Sequence, residues 1–205
     1  AKEFAGTQTD AVTIDGVKYF SNKAIVKDLK ENTKYYYQVF QNGKWQDAES
    51  YTTKSFNSFS FLYVGDPQIG ASKNQTSTEQ EKMVSAGNEV SSSAADNLAA
   101  RNDGYNWNNI LNDAIKDHGD VSFIVSAGDQ VNAGKNEREY AAYLGADALA
   151  SLPVATTIGN HDSVSNQYTL HFNNPNAFSD TDANYIQGKT EAGTDYYYRY
   201  GNTLF

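Results

Sequence analysis

Three apolar runs constrain the fold of this chain, because each one stops close to a glycine that is followed by an acidic or amide side chain. The runs and the polar residues after them are 59–64 with Asp66, 121–125 with Asp129, and 153–158 with Asn160. Runs of this length that are rich in β-branched and aromatic residues predict buried strands. Helical patterns between the runs predict crossover connections and a parallel sheet. Ligands bind outside the carboxyl ends of such strands, so Asp66, Asp129 and Asn160 are expected to meet in one crevice.

The stretches between the runs contain the predicted helices. Residues 79–100 favour a weak surface helix, because alanine and glutamate occur there with scattered apolar residues. A second helix is predicted by apolar side chains at helical spacing and ends at His118-Gly119; these side chains are Trp107, Ile110, Leu111, Ala114 and Ile115. Residues 137–150 predict a third helix, with an apolar stripe of Tyr140, Tyr143, Leu144 and Leu149. A strand is predicted at 195–200.

Residues 1–55 have a different pattern, which is typical of a small all-β module. Residues 12–17 predict a hairpin around Asp15-Gly16, residues 24–26 a short strand and residues 34–40 a longer one. Asn42-Gly43 predicts a tight turn after that strand. The alternation of aromatic with polar residues favours a sandwich with one buried face.

Composition excludes several classes of partner and site. The net charge of −9 and the sequence pI of about 4.7 argue against a nucleic acid or an acidic membrane as partner, since both need a basic surface. No apolar run is long enough to predict a membrane span, and no signal peptide is predicted at Ala1. The absence of cysteine excludes disulfides and thiolate metal sites and is compatible with export by a bacterium that does not use disulfides. A secreted or cell-surface location is the expectation.

The polar residues at the predicted strand ends are of the types that bind metal ions. Two aspartates, the Asn160 amide and His161 are oxygen and nitrogen donors that suit Mn, Fe or Zn. Two converging carboxylates repel each other unless a cation lies between them. Two metal ions about 3.5 to 4 Å apart can activate water and stabilise a phosphoryl displacement. Asp162 follows His161, and a carboxylate paired with the ring would make this histidine a general acid or a phosphate clamp.

Simpler roles compete with these interpretations. Asp66 and Asp129, taken singly, are also typical of helix caps. His118 precedes a glycine at a helix end, where its charged form would interact favourably with the helix dipole. His171 is either a partly buried loop histidine or a wall of the substrate pocket.

Three motifs in this order resemble the first three motifs of the calcineurin-like metallophosphoesterases. They are Asp66-Pro67-Gln68, Gly128-Asp129-Gln130-Val131-Asn132 and Gly159-Asn160-His161-Asp162. Residues 29–39 resemble the tyrosine-corner region of fibronectin type III modules, which places the purple acid phosphatase group nearest. The resemblance implies an α/β fold, half of an α/β/β/α sandwich over residues 56–205, preceded by part of a fibronectin III-like sandwich over residues 1–55.

The resemblance also implies a reaction and a role for each matching residue. Phosphate mono- or diesters would be hydrolysed by a hydroxide that two metal ions activate. Asp66 would bind the first metal, Asp129 would bridge both and Asn160 would bind the second. His161, paired with Asp162, would contact the phosphate and assist the leaving group.

The chain departs from the family pattern in three respects. Gln68 stands where the family has histidine or glycine. Its side chain is therefore expected to be a weak metal ligand or a hydrogen-bond donor to the residues that bind the metal. Asn132 stands where purple enzymes have a metal-bound tyrosine, so no purple colour is expected. Residues 1–55 resemble only the later strands of a fibronectin module, and no Gly-His-x-His motif occurs. The chain is therefore predicted to be truncated at both ends, inactive alone and holding few or no metals.

Two further expectations follow from these departures. Half a sandwich would expose an apolar face and an unpaired strand edge, which favours dimerisation. The alternative function is a non-catalytic cell-surface binding or scaffold protein with a degenerate phosphoesterase fold.

Overall fold

Eight short strands form the N-terminal part of the computed structural model, which describes residues 1–14, 16–74, 92–179 and 193–205. They are β1 (Gly6–Gln8), β2 (Val12–Ile14), β3 (Val17–Tyr19), β4 (Asn22–Ala24), β5 (Lys34–Tyr37), β6 (Phe40–Gln41), β7 (Lys44–Trp45) and β8 (Glu49–Thr52). The strands pair two by two and antiparallel: β1 with β4, β2 with β3, β5 with β8 and β6 with β7.

The predicted turns of this part are confirmed better than its strands. Residues 12–17 form a hairpin with Ile14 opposite Val17, whereas Asp15 lies outside the described residues. Asn42 and Gly43 have φ angles of 54° and 76°, as the two-residue turn between β6 and β7 requires. The strand predicted at 24–26 is wrong, because β4 ends at Ala24. The long strand predicted at 34–40 divides into β5 and the start of β6.

The buried face that the alternating pattern favoured is not present in these strands. Thr53 is the one buried residue among those described in 1–55, and Tyr36 is 73% exposed. Among the described residues these strands form separate two-stranded sheets, which bury little side-chain surface. The fibronectin III-like assignment stays a prediction.

A three-stranded parallel sheet lies at the centre of the remaining chain, which confirms the predicted sheet type. Its strands are β9 (Ser60–Val64), β10 (Val121–Ser126) and β11 (Val154–Thr156), in the order β11-β10-β9. The middle strand β10 is buried along nearly its whole length. The prediction of burial is wrong for β9, where Phe61 is 41% and Tyr63 71% exposed, because β9 pairs on one side only in the described sheet.

Helices and short turns connect the strands. They are a 3₁₀ turn (Ala71–Asn74), helix α1 (Ser92–Asp117), helix α2 (Glu137–Leu144), 3₁₀ turns at Asp147–Ala150 and Asp162–Val164, helix α3 (Gln167–His171), and a hairpin of β12 (Arg199–Tyr200) and β13 (Thr203–Leu204). None of the helices in the described ranges is long and apolar enough to cross a membrane.

The predicted crossover helices exist, with different limits. Residues 92–100 belong to α1 together with the second predicted helix. Residues 79–91 lie outside the described residues, so this part of the helix prediction is untested. Helix α1 ends before His118, as predicted, although Ile110 is 59% exposed. Helix α2 ends at Leu144 rather than at residue 150, because the Gly145 amide closes the last turn on Ala141. The strand predicted at 195–200 is limited to β12.

The core lies between helices α1 and α2 and one face of the sheet. Trp107 of α1 stacks on Tyr143 of α2 with ring centroids 5.3 Å apart, and Leu111 and Ile124 are fully buried beside them. Burying side chains of this size stabilises the fold by about 1.5 to 3 kcal/mol each. This layer fixes the strand ends on which the polar residues lie.

Aromatic rings cover the opposite face of the sheet. Phe61 stacks on Phe123 at 5.2 Å, and Phe205 packs edge-on against both rings. Tyr198 lies parallel to Phe205 at 5.0 Å. The dimer predicted from an exposed sheet stays a prediction.

Candidate functional site

The loops that follow β9 and β10 run side by side and extend the pairing of the two strands. Three amides of the first loop donate to three carbonyls of the second: Asp66 N to Gly128 O at 3.1 Å, Gln68 N to Asp129 O at 2.9 Å, and Ile69 N to Gln130 O at 3.2 Å. A parallel bridge between Ile69 and Val131 completes the pairing. The backbones of Asp66 and Asp129 are therefore held next to each other.

The loop after β11 joins them through the Asp129 side chain. The amide of His161 donates to Asp129 Oδ1 at 2.9 Å. A Cβ on Gly159 would lie 1.9 Å from that same oxygen, and a Cβ on Gly128 would lie 3.0 Å from Gly159 Cα. Only glycine permits this approach, which explains why these strand-end motifs contain one.

Three of the predicted site residues have unusual backbone conformations. Asp66, Gln68 and Asp129 have φ angles of 58°, 35° and 50°, in the left-handed region that residues with a Cβ rarely adopt. Such residues cost about 1 to 3 kcal/mol each and persist where their surroundings hold them. The amide–carbonyl bonds between the loops provide that support, and strain of this kind is typical of functional sites.

The carboxylates at the strand ends are not helix caps. Helix α2 is capped by Asn136, whose side chain accepts from the Arg138 amide at 3.1 Å, so the capping alternative is wrong for Asp129. The exposed side chains of Asp66 and Asn160 have no hydrogen-bond partner within the described ranges. These oxygens are therefore available to a ligand.

Asp162 is buried and joins two of the loops. Its carboxylate accepts from the amides of Gly159 at 2.9 Å, Gln130 at 3.3 Å and Val131 at 3.4 Å. Burial raises the pKa of Asp162, the three amides oppose this shift, and the Asp129 charge adds to it. Asp162 thus supports the loops after β10 and β11 from inside.

The His161 ring is oriented by a backbone carbonyl. Its Nδ1 lies 2.7 Å from the carbonyl oxygen of Asn132. A carbonyl only accepts, so Nδ1 holds the hydrogen and Nε2 has the free lone pair. The predicted pairing of His161 with the Asp162 carboxylate is wrong, because backbone amides occupy that carboxylate. Sequence reasoning missed the Asn132 carbonyl, since a main-chain group has no residue-type signal.

His171 lies at the end of α3 in contact with α2. Its Nε2 is 2.9 Å from Glu137 Oε2, and its ring stacks on Tyr140 at a centroid distance of 4.3 Å. Burial lowers the pKa of His171, and the Glu137 carboxylate opposes the shift. These contacts favour the partly buried structural histidine over the pocket wall, and a role in substrate binding stays a prediction.

The side chains at the strand ends have the ligand atoms that a divalent metal ion prefers. Asp66, Asp129 and the Asn160 amide are oxygen donors of the kind that Mn, Fe and Zn accept, and the side chains of Asp66 and Asn160 are exposed without hydrogen-bond partners among the described residues. In the part of the chain that the structure describes, no group of three or more His, Cys, Asp or Glu is close enough to hold an ion.

Comparison with known proteins agrees with this arrangement. The family model described as calcineurin-like phosphoesterase matches residues 59–204, which include the parallel sheet and all the strand-end residues. No curated protein and no solved structure gives a match. The chain belongs to the calcineurin-like phosphoesterase family, and its α/β part is the domain of a metal-dependent phosphoesterase.

Proposed function

We propose that the strand-end site hydrolyses phosphate mono- or diesters with two metal ions. Asp66 would hold one ion, Asn160 the other, and Asp129 would bridge them, with Gln68 as a weak additional ligand. The observation that supports this best is the central place of Asp129, whose carbonyl accepts from Gln68 and whose carboxylate accepts from His161. When bound, the ions would supply an activated hydroxide and neutralise charge on the phosphoryl oxygens.

His161 has the second role in this proposal. With Nδ1 held by the Asn132 carbonyl, its Nε2 is the nitrogen left to interact with substrate. In the protonated ring this nitrogen donates to a phosphate oxygen or gives its proton to the leaving group, as a general acid. Asp162 assists by holding the backbone on both sides of the histidine.

The experiment is a hydrolysis assay with p-nitrophenyl phosphate and bis(p-nitrophenyl) phosphate, in the presence of Mn²⁺, Zn²⁺ or Fe²⁺ and with a chelator. We expect activity that requires metal and separates monoesters from diesters, with slow turnover because no Gly-His-x-His motif occurs. The Asp129→Asn variant removes the bridging charge, and a loss of about a hundredfold to a thousandfold is expected, the size typical for one electrostatic group at a reacting centre.

Asp113→Asn is the matched control, because Asp113 is an exposed aspartate of α1 without a partner among the described residues. Its activity should equal that of the wild type. Turnover that survives the chelator, or that Asp129→Asn leaves unchanged, would contradict the proposal.

A second candidate is a binding or scaffold protein that retains the fold without the chemistry. Gln68 in place of the family's usual residue favours it, as does the lack of a three-residue acidic or histidine cluster among the described side chains. This candidate predicts that inorganic phosphate or a phosphate ester binds without turnover under every metal condition. It also predicts that Asp129→Asn changes neither binding nor stability.

A further inference from the structure

Glu139 is a buried carboxylate that the proposed chemistry leaves unexplained. It lies in the first turn of α2 and is 4% exposed. Its Oε2 accepts from the Ala133 amide at 2.7 Å, and its Oε1 accepts from Asn136 Nδ2 at 2.9 Å. Since Asn136 also caps α2, Glu139 holds the loop of residues 132–136 against the start of its own helix.

The peptide group between Asn132 and Ala133 connects Glu139 to His161. Its N–H donates to the Glu139 carboxylate, and its carbonyl oxygen accepts from His161 Nδ1, with both heavy-atom distances at 2.7 Å. The carboxylate and the imidazole are therefore joined through one planar unit. Neither partner contacts the other directly.

Elementary electrostatics predicts that these two hydrogen bonds strengthen each other. An ionised acceptor on the N–H draws positive charge toward it and increases the negative charge on the carbonyl oxygen of the same amide. That oxygen then becomes a better acceptor for His161 Nδ1–H. The effect is the one that a directly paired carboxylate would have, transmitted through a rigid group.

Packing keeps this peptide group in place. A Cβ on Gly134 would lie 2.7 Å from the His161 carbonyl oxygen and 2.8 Å from that of Asp162, so the loop lies directly on the backbone of the histidine motif. The Ser165 hydroxyl donates to the Gly134 carbonyl. A rotation of the 132–133 peptide would break both of its hydrogen bonds inside this contact.

We propose that Glu139 is a positioning residue that fixes the Nδ1–H tautomer of His161 through the Asn132–Ala133 peptide group. Its catalytic consequence rests on the function proposed above, whereas the tautomer itself does not. The carboxylate takes the place that sequence reasoning gave to Asp162. Glutamine at this position would put an NH₂ group against one of two hydrogen-bond donors, since Ala133 N and Asn136 Nδ2 both donate.

The test is nitrogen-15 NMR of the histidine rings in the full chain, prepared with diamagnetic Zn²⁺ and recorded at about pH 8, above the ordinary imidazole pKa. The chain has three histidines, so the spectrum is simple to assign. We expect His161 in the Nδ1–H form and His171 in the Nε2–H form, because His171 Nε2 contacts a carboxylate. In Glu139→Gln, His161 should shift toward a tautomer mixture.

Glu137→Gln is the matched control, two residues away on the same helix. It should alter His171 and leave His161 unchanged. In the hydrolysis assay, Glu139→Gln should lower kcat by about 10- to 100-fold, the size typical when an outer hydrogen-bond partner in a metal site is lost, with KM little changed.

The proposal is overturned if wild-type His161 is in the Nε2–H form, a result that does not depend on the variant folding. A folded Glu139→Gln with the wild-type His161 spectrum would overturn it as well. If the wild type has the expected spectrum but no phosphoesterase activity, the proposed function fails and the positioning role stands.

Discussion

The N-terminal strands and the α/β domain differ in how far their side chains are buried and in how many hydrogen bonds hold their loops. In the α/β domain, Ile124 and Leu111 are fully buried and the strand-end loops bond to one another. In the N-terminal part, strands pair only two by two, and Trp45 and Phe40 are more than half exposed. The comparison teaches that reactive side chains are placed by the region in which helices cover a sheet, because burial and cross-loop hydrogen bonds act there together.

The two regions nevertheless touch through polar groups. Lys23 of β4 donates to the carbonyls of Thr169 and Phe172 at 2.6 and 3.1 Å, and Ser21 donates to the Leu170 carbonyl at 2.5 Å. These carbonyls lie at the C-terminal end of α3, where a cation interacts favourably with the helix dipole. The N-terminal strands thus support α3, which follows the histidine motif in the chain.

The largest difference between the regions should appear when apolar side chains are removed. Ile124→Ala leaves a cavity in the core, and we expect the free energy of unfolding to fall by about 2 to 5 kcal/mol. Val39→Ala, at a position that is 52% exposed, should cost about 0.5 kcal/mol or less. Urea denaturation measures both, and equal costs would remove the distinction between the regions.

A smaller effect is expected from Asp162→Asn, which tests the cross-loop support. The new NH₂ group would face backbone amides that also donate, so we expect a loss of about 1 to 3 kcal/mol in the free energy of unfolding. The exposed Asp113→Asn serves as control and should change nothing. Unchanged stability in Asp162→Asn would show that the three amides have other acceptors.

The contact between the regions is tested by Lys23→Met, which keeps most of the aliphatic length and removes the donor. Loss of its hydrogen bonds to α3 should cost about 1 kcal/mol. Amide exchange of residues 167–172 should accelerate in this variant. Lys27→Met changes an exposed lysine without a described partner, and the account fails here if the two variants behave alike.

The smallest effect concerns pH. Burial lowers the pKa of His171 despite the Glu137 carboxylate, so the unfolded chain binds more protons than the folded one near the ordinary histidine pKa. Stability should therefore rise as pH increases from below the lowered pKa to above about 6.5. His171→Gln should reduce this slope, whereas the exposed His118→Gln should not. An unchanged slope in His171→Gln would contradict the assignment.

Sequence reasoning predicted the parts of the fold that local pattern determines. The β10 run has a continuous apolar pattern and is the buried middle strand. The same argument was wrong for β9, because burial depends on the neighbours of a strand and not on its own residues. Ile110 matched the helical stripe yet is exposed, since the stripe of α1 is wider than the surface that covers it.

The candidate site shows the same division. The positions of Asp66 and Asp129 follow from strand ends and glycines, which are visible in the sequence. The partner of His161 is the main-chain carbonyl of Asn132, and the N–H of the same peptide group donates to Glu139 of the next helix. Residue types do not indicate such a link, because it depends on the path of the loop between Asn132 and Asn136.

The most direct test of the central claim is where Mn²⁺ binds. Substoichiometric Mn²⁺ broadens the NMR signals of residues near the ion, so it locates even a weak site. The account predicts that the backbone amides of Gly65, Asp66 and Gln68 and of residues 128–130 and 159–161 broaden first, and that Asp129→Asn, but not Asp113→Asn, abolishes the effect. Broadening spread over the acidic surface, or unchanged by Asp129→Asn, would contradict a metal site at the three strand ends.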